Sequence, residues 1–174
     1  MTGMARHPNI ERVQAALGAA GSRAMVRELP ESTRTSQEAA AALGVAVGQI
    51  AKSLVFLADD VPVMVVASGA NRVDASRLAA HLGVRRISRA DADRVRAATG
   101  YPIGGVSPAG LDGQLRVLVD RALAPFEVVW AAAGTPKSVF PTTFPELLRI
   151  TGGEEADVSE RQALEAAPPG CEAP

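Results

Sequence analysis

Ile50-Ala51-Lys52-Ser53-Leu54-Val55-Phe56-Leu57, then Asp59-Asp60, then Val61-Pro62-Val63-Met64-Val65-Val66-Ala67, is the stretch whose reading decides the fold. Two apolar runs of strand length meet at a short acidic turn, which predicts a β-hairpin of buried strands. Strands joined this way are antiparallel, so a purely parallel, doubly wound sheet is excluded. Lys52 interrupts the first run. A lysine in a buried strand is costly unless its ammonium meets an anion or a polar ligand. The chain has two lysines, Lys52 and Lys137, and its other basic residues are arginine. Lys52 therefore reads as a compact ammonium that a planar guanidinium does not replace. A strand-end lysine that snorkels to water is the competing reading, and strand position alone leaves the two even.

Helices and further strands surround the hairpin. Ile10, Val13, Ala16 and Leu17 recur at helical spacing and predict a helix over 8–20. Residues 24–29 read as a short strand. Thr35 and Glu38 form a capping box for an alanine-rich helix over 36–43. Asp74 caps a helix that stops at Gly83. Residues 84–87 read as a strand, and Ser88 as the cap of a helix ending at Gly100, with Asp91 as its acidic partner. Residues 115–119, 126–131 and 138–140 read as strands, and 145–150 as a helix. A last helix over 154–165 and a disordered Pro-rich tail over 166–174 complete the reading, with 1–165 as one domain. The expected fold is α/β: a mixed, mainly antiparallel sheet, barrel-like and flanked by helices.

Composition limits the function classes. Hydrophobic residues make up 47% of the 174, enough for a core, but aromatics only 3%, so that core is Ala, Val, Leu and Ile. With a formal net charge of -1 there is no global basic field, and any nucleic-acid contact must be local. The single cysteine, Cys171, cannot form an internal disulfide, which fits a reducing cytoplasm. The N-terminal residues lack a signal-peptide pattern, and no apolar run has membrane-spanning length. His7 and His81 are far apart, so no histidine-based metal site is expected.

The remaining punctuation is the loop Gly100-Tyr101-Pro102-Ile103-Gly104-Gly105-Val106-Ser107-Pro108-Ala109-Gly110. Glycine allows close backbone approach and positive φ, and proline fixes its neighbours. Such a loop can aim N–H groups at a carbonyl or an anion. On composition alone a tight helix-to-strand connection is the favoured reading. It is neither a P-loop nor GxGxxG. No GxSxG, HExxH or Cys/His pair is present, so no protein nucleophile or metal set stands out. Arg85, Arg86 and Arg89 belong to a basic stretch diluted by Asp91 and Asp93, readable as a solvated face or as a phosphate-contacting patch.

Taken together, Gln49 to Phe56, Val73-Asp74, Leu82-Gly83, Thr99 to Pro108 and Ala133-Gly134-Thr135-Pro136 resemble the YbaK/ProX family in order and spacing, from about residue 28 to 153. These are trans-editing aminoacyl-tRNA deacylases, similar to the editing domain of bacterial prolyl-tRNA synthetase. The strand lysine and the GxxxP loop, Gly104 to Pro108, are the family's functional signature. The resemblance implies hydrolysis of mischarged aminoacyl-tRNA, on tRNA(Pro) carrying a small non-cognate residue such as Ala, Cys, Ser or Thr. It implies Lys52, Gly104, Gly105, Val106, Ser107 and Pro108 as catalytic residues, with loop amides holding the ester oxygen and the substrate's free ribose hydroxyl helping to activate water. Thr33, Thr35, Phe56, Ser68, Gly69, Gly134 and Thr135 are the candidates for substrate binding, and Arg85, Arg86 and Arg89 for RNA. No cofactor, metal or membrane is implied. The expected partners are aminoacyl-tRNA and a prolyl-tRNA synthetase. The alternative is a non-catalytic module of the same fold that binds aminoacyl-tRNA or a synthetase.

Overall fold

The computed structural model describes residues 5–112 and 114–160. Helix α1 (Pro8–Ala19) starts at His7, whose Nδ1 accepts from Asn9 N–H, and buries Ile10, Val13 and Leu17. Pro8 suits the first turn, where its missing N–H would have no helical partner. Strand β1 is Arg27–Glu28, shorter than the expected 24–29. The Gln14 side chain takes the Val26 N–H and the Ala24 carbonyl instead of a neighbouring strand. Helix α2 (Ser36–Leu43) carries both arms of the Thr35/Glu38 capping box.

A 3-10 turn, Val47–Gln49, leads into β2 (Ile50–Ala58), which forms the expected hairpin with β3 (Val61–Ser68). Asp59 and Asp60 both have positive φ, 45° and 68°, which gives the turn the twist that strand pairing favours. Helix α3 (Ala75–Leu82) follows, capped by Asp74. Strand β4 is Ile87–Arg89, later than the expected 84–87. The earlier N–H groups are taken: Val84 bonds Ala79 O at the end of α3, and Arg85 and Arg86 donate to the Asp59 carboxylate. Ser88 lies in β4, and helix α4 (Ala92–Thr99) is capped by Asp91 rather than by Ser88.

Beyond the loop come β5 (Arg116–Asp120), β6 (Val129–Ala132), β7 (Ser138–Thr142) and α5 (Phe144–Thr151). The expected helix from 154 is absent over its described part: β8 (Glu154–Ala156) pairs parallel with β5. Ala156 and Val158 alternate into the core, a period of two that overrides the acidic, helix-like composition. Residues 161–165 and the tail 166–174 lie outside the described residues.

The sheet order is β1-β7-β6-β2-β3-β5-β8, with β4 also on β2. Four pairings are antiparallel and three parallel, so the sheet is mixed. Among the described residues β8 does not pair with β1, so the sheet stays open between these two strands. β3 alternates: Met64 and Val66 enter a core with α1 and α5, while Val63 and Val65 enter a second one with Leu78 of α3. Helices thus flank both faces of one single-domain sheet.

Candidate active site

A cavity of about 460 Å³ opens along the middle of β2. Its walls come from the start of α2, the loop after α4, and strands β6 and β7. Thr33, Thr35, Lys52, Arg89, Gly104, Val106 and Thr135 all line it, residues spread over about a hundred positions of sequence. The two signature features, strand lysine and loop, therefore meet at one place.

Lys52 is half-buried, and its Nζ donates to Asn71 O at 2.7 Å. Among the described residues no carboxylate lies within salt-bridge distance of it. Burial lowers its pKa from the ordinary 10.5, and the neighbouring charges of Arg89 and Arg72 lower it further. An ammonium held beside two guanidiniums, with one neutral carbonyl as partner, is arranged to receive an anion.

The loop is built to be rigid. Tyr101 is buried and its hydroxyl donates to Ala109 O at 2.7 Å, tying the two ends together, while Arg12 stacks over its ring at 4.7 Å. Pro102 O accepts from Gly105 N–H at 3.0 Å, and Gly104 takes φ 91°, which glycine adopts without a Cβ penalty. Gly105 lies so close to the turn at 134–135 that a Cβ would stand 2.8 Å from Thr135 Cα and N. Asn9 braces that turn from α1, its Nδ2 donating to Gly134 O at 2.9 Å. Thr33 N–H and Oγ1 both donate to Pro136 O, and Thr135 Oγ1 shares a 2.8 Å hydrogen bond with Ser138 Oγ.

Not every expected residue reaches the cavity. Gly105 is buried with its N–H in the loop's own turn, so it serves packing. Ser107 is fully buried and its Oγ accepts from Ala109 N–H; Pro108 borders a different groove, beside α1 and α5. Gly104 and Val106 remain as the loop residues on the cavity, and among the described residues their N–H groups have no partner. Phe56 faces the second core with Val63, Val65 and Leu78. Ser68 Oγ donates to Gly48 O, and Gly69 packs against Ser36 and Val47; both fix the 3-10 turn rather than a ligand. Gly134 is buried against Asn9. Arg85 and Arg86 are exposed and do not line the cavity; of the three arginines only Arg89 does. Sequence reasoning missed Ser53, Arg34, Trp130 and Ser138, which line it, and Arg72, which acts on Lys52. Ser53 had a readable signal as the second polar residue of an apolar strand; the others depend on long-range packing.

Comparison with known proteins adds a family to this geometry. The sequence profile described as "Aminoacyl-tRNA editing domain" matches residues 30–150. A proline–tRNA ligase of Streptococcus equi subsp. equi (strain 4047) is 31% identical over 135 residues, covering 78% of this chain and 22% of the ligase. The chain thus spans about a fifth of the length of that relative. The uncharacterized protein YwhH of Bacillus subtilis (strain 168) is 33% identical, over 70% of this chain and 78% of YwhH. Among solved structures, a candidate trans-editing enzyme for prolyl tRNA synthetase superposes with a TM-score of 0.83 at 42% identity, covering 90% of this chain and 99% of the other.

Proposed function

The chain belongs to the aminoacyl-tRNA editing domain family, and from that premise we propose that it hydrolyses the ester of mischarged aminoacyl-tRNA, with residues 1–165 as the editing domain. The proposed substrate is tRNA(Pro) carrying a small non-cognate amino acid, and the proposed partner is the prolyl-tRNA synthetase that makes it. One observation carries the reading: Lys52 and the loop residues Gly104 and Val106 line one cavity, with the charges of Arg89 and Arg72 acting on the lysine and, among the described residues, no carboxylate paired to it.

The roles follow from residue type. Lys52, with Arg89 and Arg72 close by, holds a phosphate of the 3′-terminal nucleotides and fixes the aminoacyl end in the cavity. The unpaired N–H groups of Gly104 and Val106 stabilise negative charge growing on the ester oxygen, a role worth about 10²–10³ in rate for a single donor. Water attacks the carbonyl carbon, the carbon–oxygen bond to the ribose breaks, and the 3′ oxygen leaves with a proton. Among the described residues the cavity presents no histidine, aspartate or glutamate to move that proton. The neighbouring 2′ hydroxyl of the substrate supplies the relay in this reading, and no cofactor or metal is invoked.

The test is a pair of substrates: aminoacyl-tRNA ending in adenosine, and the same ester on the 3′ hydroxyl of a 2′-deoxyadenosine end. Fast release from the first, slow release from the second and indifference to chelator are expected. Equal rates would put the water-activating group in the protein. Tight binding with no release from either would turn the reading into the non-catalytic module.

A further inference from the structure

Ser53 stands where β2 has no neighbour on one side. β3 pairs with β2 along its length, and Gly69 N–H donates to Ile50 O at 2.7 Å in the same register. Hydrogen-bonded pairs alternate along an antiparallel ladder. Lys52 and Leu54 therefore turn their main-chain groups toward β3, whereas Ala51, Ser53 and Val55 turn theirs the other way. There Ala51 falls within the two-residue pairing with β6, and Val55 O accepts from Ala90 N–H. Ser53 falls in the gap between β6 and β4, and no strand pairs with its N–H or C=O on that side. Among the described residues its hydroxyl is buried without a hydrogen-bond partner, and the residue lines the cavity next to Lys52. Main-chain groups of a strand are nearly always paired, so an open N–H and C=O on a cavity residue point to a ligand.

A strand residue with free N–H and C=O offers one donor and one acceptor, which a single opposing residue satisfies with its own pair. An aminoacyl ester is such a residue, with an α-ammonium for the N–H and an ester carbonyl for the peptide carbonyl. We propose that Ser53 recognises the main-chain atoms of the aminoacyl group as a one-residue added strand. Its N–H donates to the ester carbonyl oxygen, and its C=O accepts from the α-ammonium. The inference rests on the editing reading and deepens it: the α-ammonium becomes a required element of the substrate whatever its side chain. As the carbonyl oxygen becomes an oxyanion it gains a third lone pair, so the Gly104 and Val106 amides can both donate to it beside Ser53.

Two non-hydrolysable probes test this by amide NMR: 3′-alanylamino-3′-deoxyadenosine, and its propionyl counterpart without the amino group. With the alanyl probe the Ser53 amide signal should shift and its hydrogen exchange slow, and the propionyl probe should bind about 10-fold or more weakly. Ser53→Ala keeps both main-chain groups and should lose no more than about fivefold in affinity. Equal affinity for the two probes and a still Ser53 amide, with Lys52 and Gly104 signals moving, would overturn the proposal and leave the editing reading standing. Complete loss on Ser53→Ala in a folded protein would move recognition to the hydroxyl and also overturn it. No change at any cavity residue with either probe would overturn both.

Discussion

Lys52 is half-buried beside two guanidiniums and meets one neutral carbonyl. This surrounding disfavours its charge, so the residue weakens the fold at neutral pH while preparing a site for an anion. Lys52→Met keeps the stem and removes the charge. The expected result is a thermal midpoint equal to or above that of the wild type, with deacylation slowed about 10²-fold; a circular-dichroism melt and a single-turnover assay check both. Lys52→Arg should also be impaired, because the fork does not sit where a point charge does. The pH dependence has a definite sign. Since the native pKa lies below the ordinary 10.5, the unfolded chain holds more protons than the native one between those values. Stability therefore rises with pH through that window, while activity that needs the ammonium falls. A pH–rate profile should show an alkaline limb with its midpoint below 10.5, absent from Lys52→Met.

Among the elements, the loop after α4 and the turn at 134–135 form a coupled pair. Gly104 has positive φ with only Pro136 Cγ at 3.8 Å from a Cβ, whereas Gly105 would drive a Cβ into the Thr135 backbone. Gly104→Ala should thus fold, at a backbone cost of about 1–2 kcal/mol. Gly105→Ala should part the two loops, with a larger loss of stability and near-complete loss of turnover; urea unfolding and single-turnover rates separate the two. The sequence made the hairpin and the Thr35, Asp74 and Gly83 boundaries legible, because caps and turns are local chemistry. It showed Lys52 and the loop for the same reason. What it hid was long-range. Gln14 cuts β1 short, Asp59 occupies the N–H groups that delay β4, and β5 draws residues 154–156 into a strand. Phe56, Ser68 and Gly69 lie in or beside the right strands but pack elsewhere, since facing depends on the sheet's two cores. The open main-chain edge at Ser53 becomes visible only when the pairing on both sides of β2 is known.

At the scale of the whole molecule, the net charge of -1 leaves RNA binding to a local patch. Arg89 lines the cavity while Arg85 and Arg86 stand away from it, so Arg89→Ala should weaken tRNA binding more than either of the others. With about three phosphate contacts on a single-stranded end, log K should fall against log salt with a slope of about -2. Filter binding across a salt series checks this, and a slope several times steeper would mean a contact surface well beyond Arg89. Among the described residues no helix is long and apolar enough to cross a membrane. The claim on which the rest depends is that the cavity hydrolyses a mischarged ester. Its most direct test is single-turnover release of amino acid from tRNA(Pro) charged with Ala, Cys, Ser, Thr or Pro, with protein in excess. Rapid release of at least one of the four small non-cognate residues, slow release of Pro, and loss of that difference in Lys52→Met are the expected results. Persistence of all five esters at the uncatalysed rate, or full activity in the Lys52→Met protein, would contradict it.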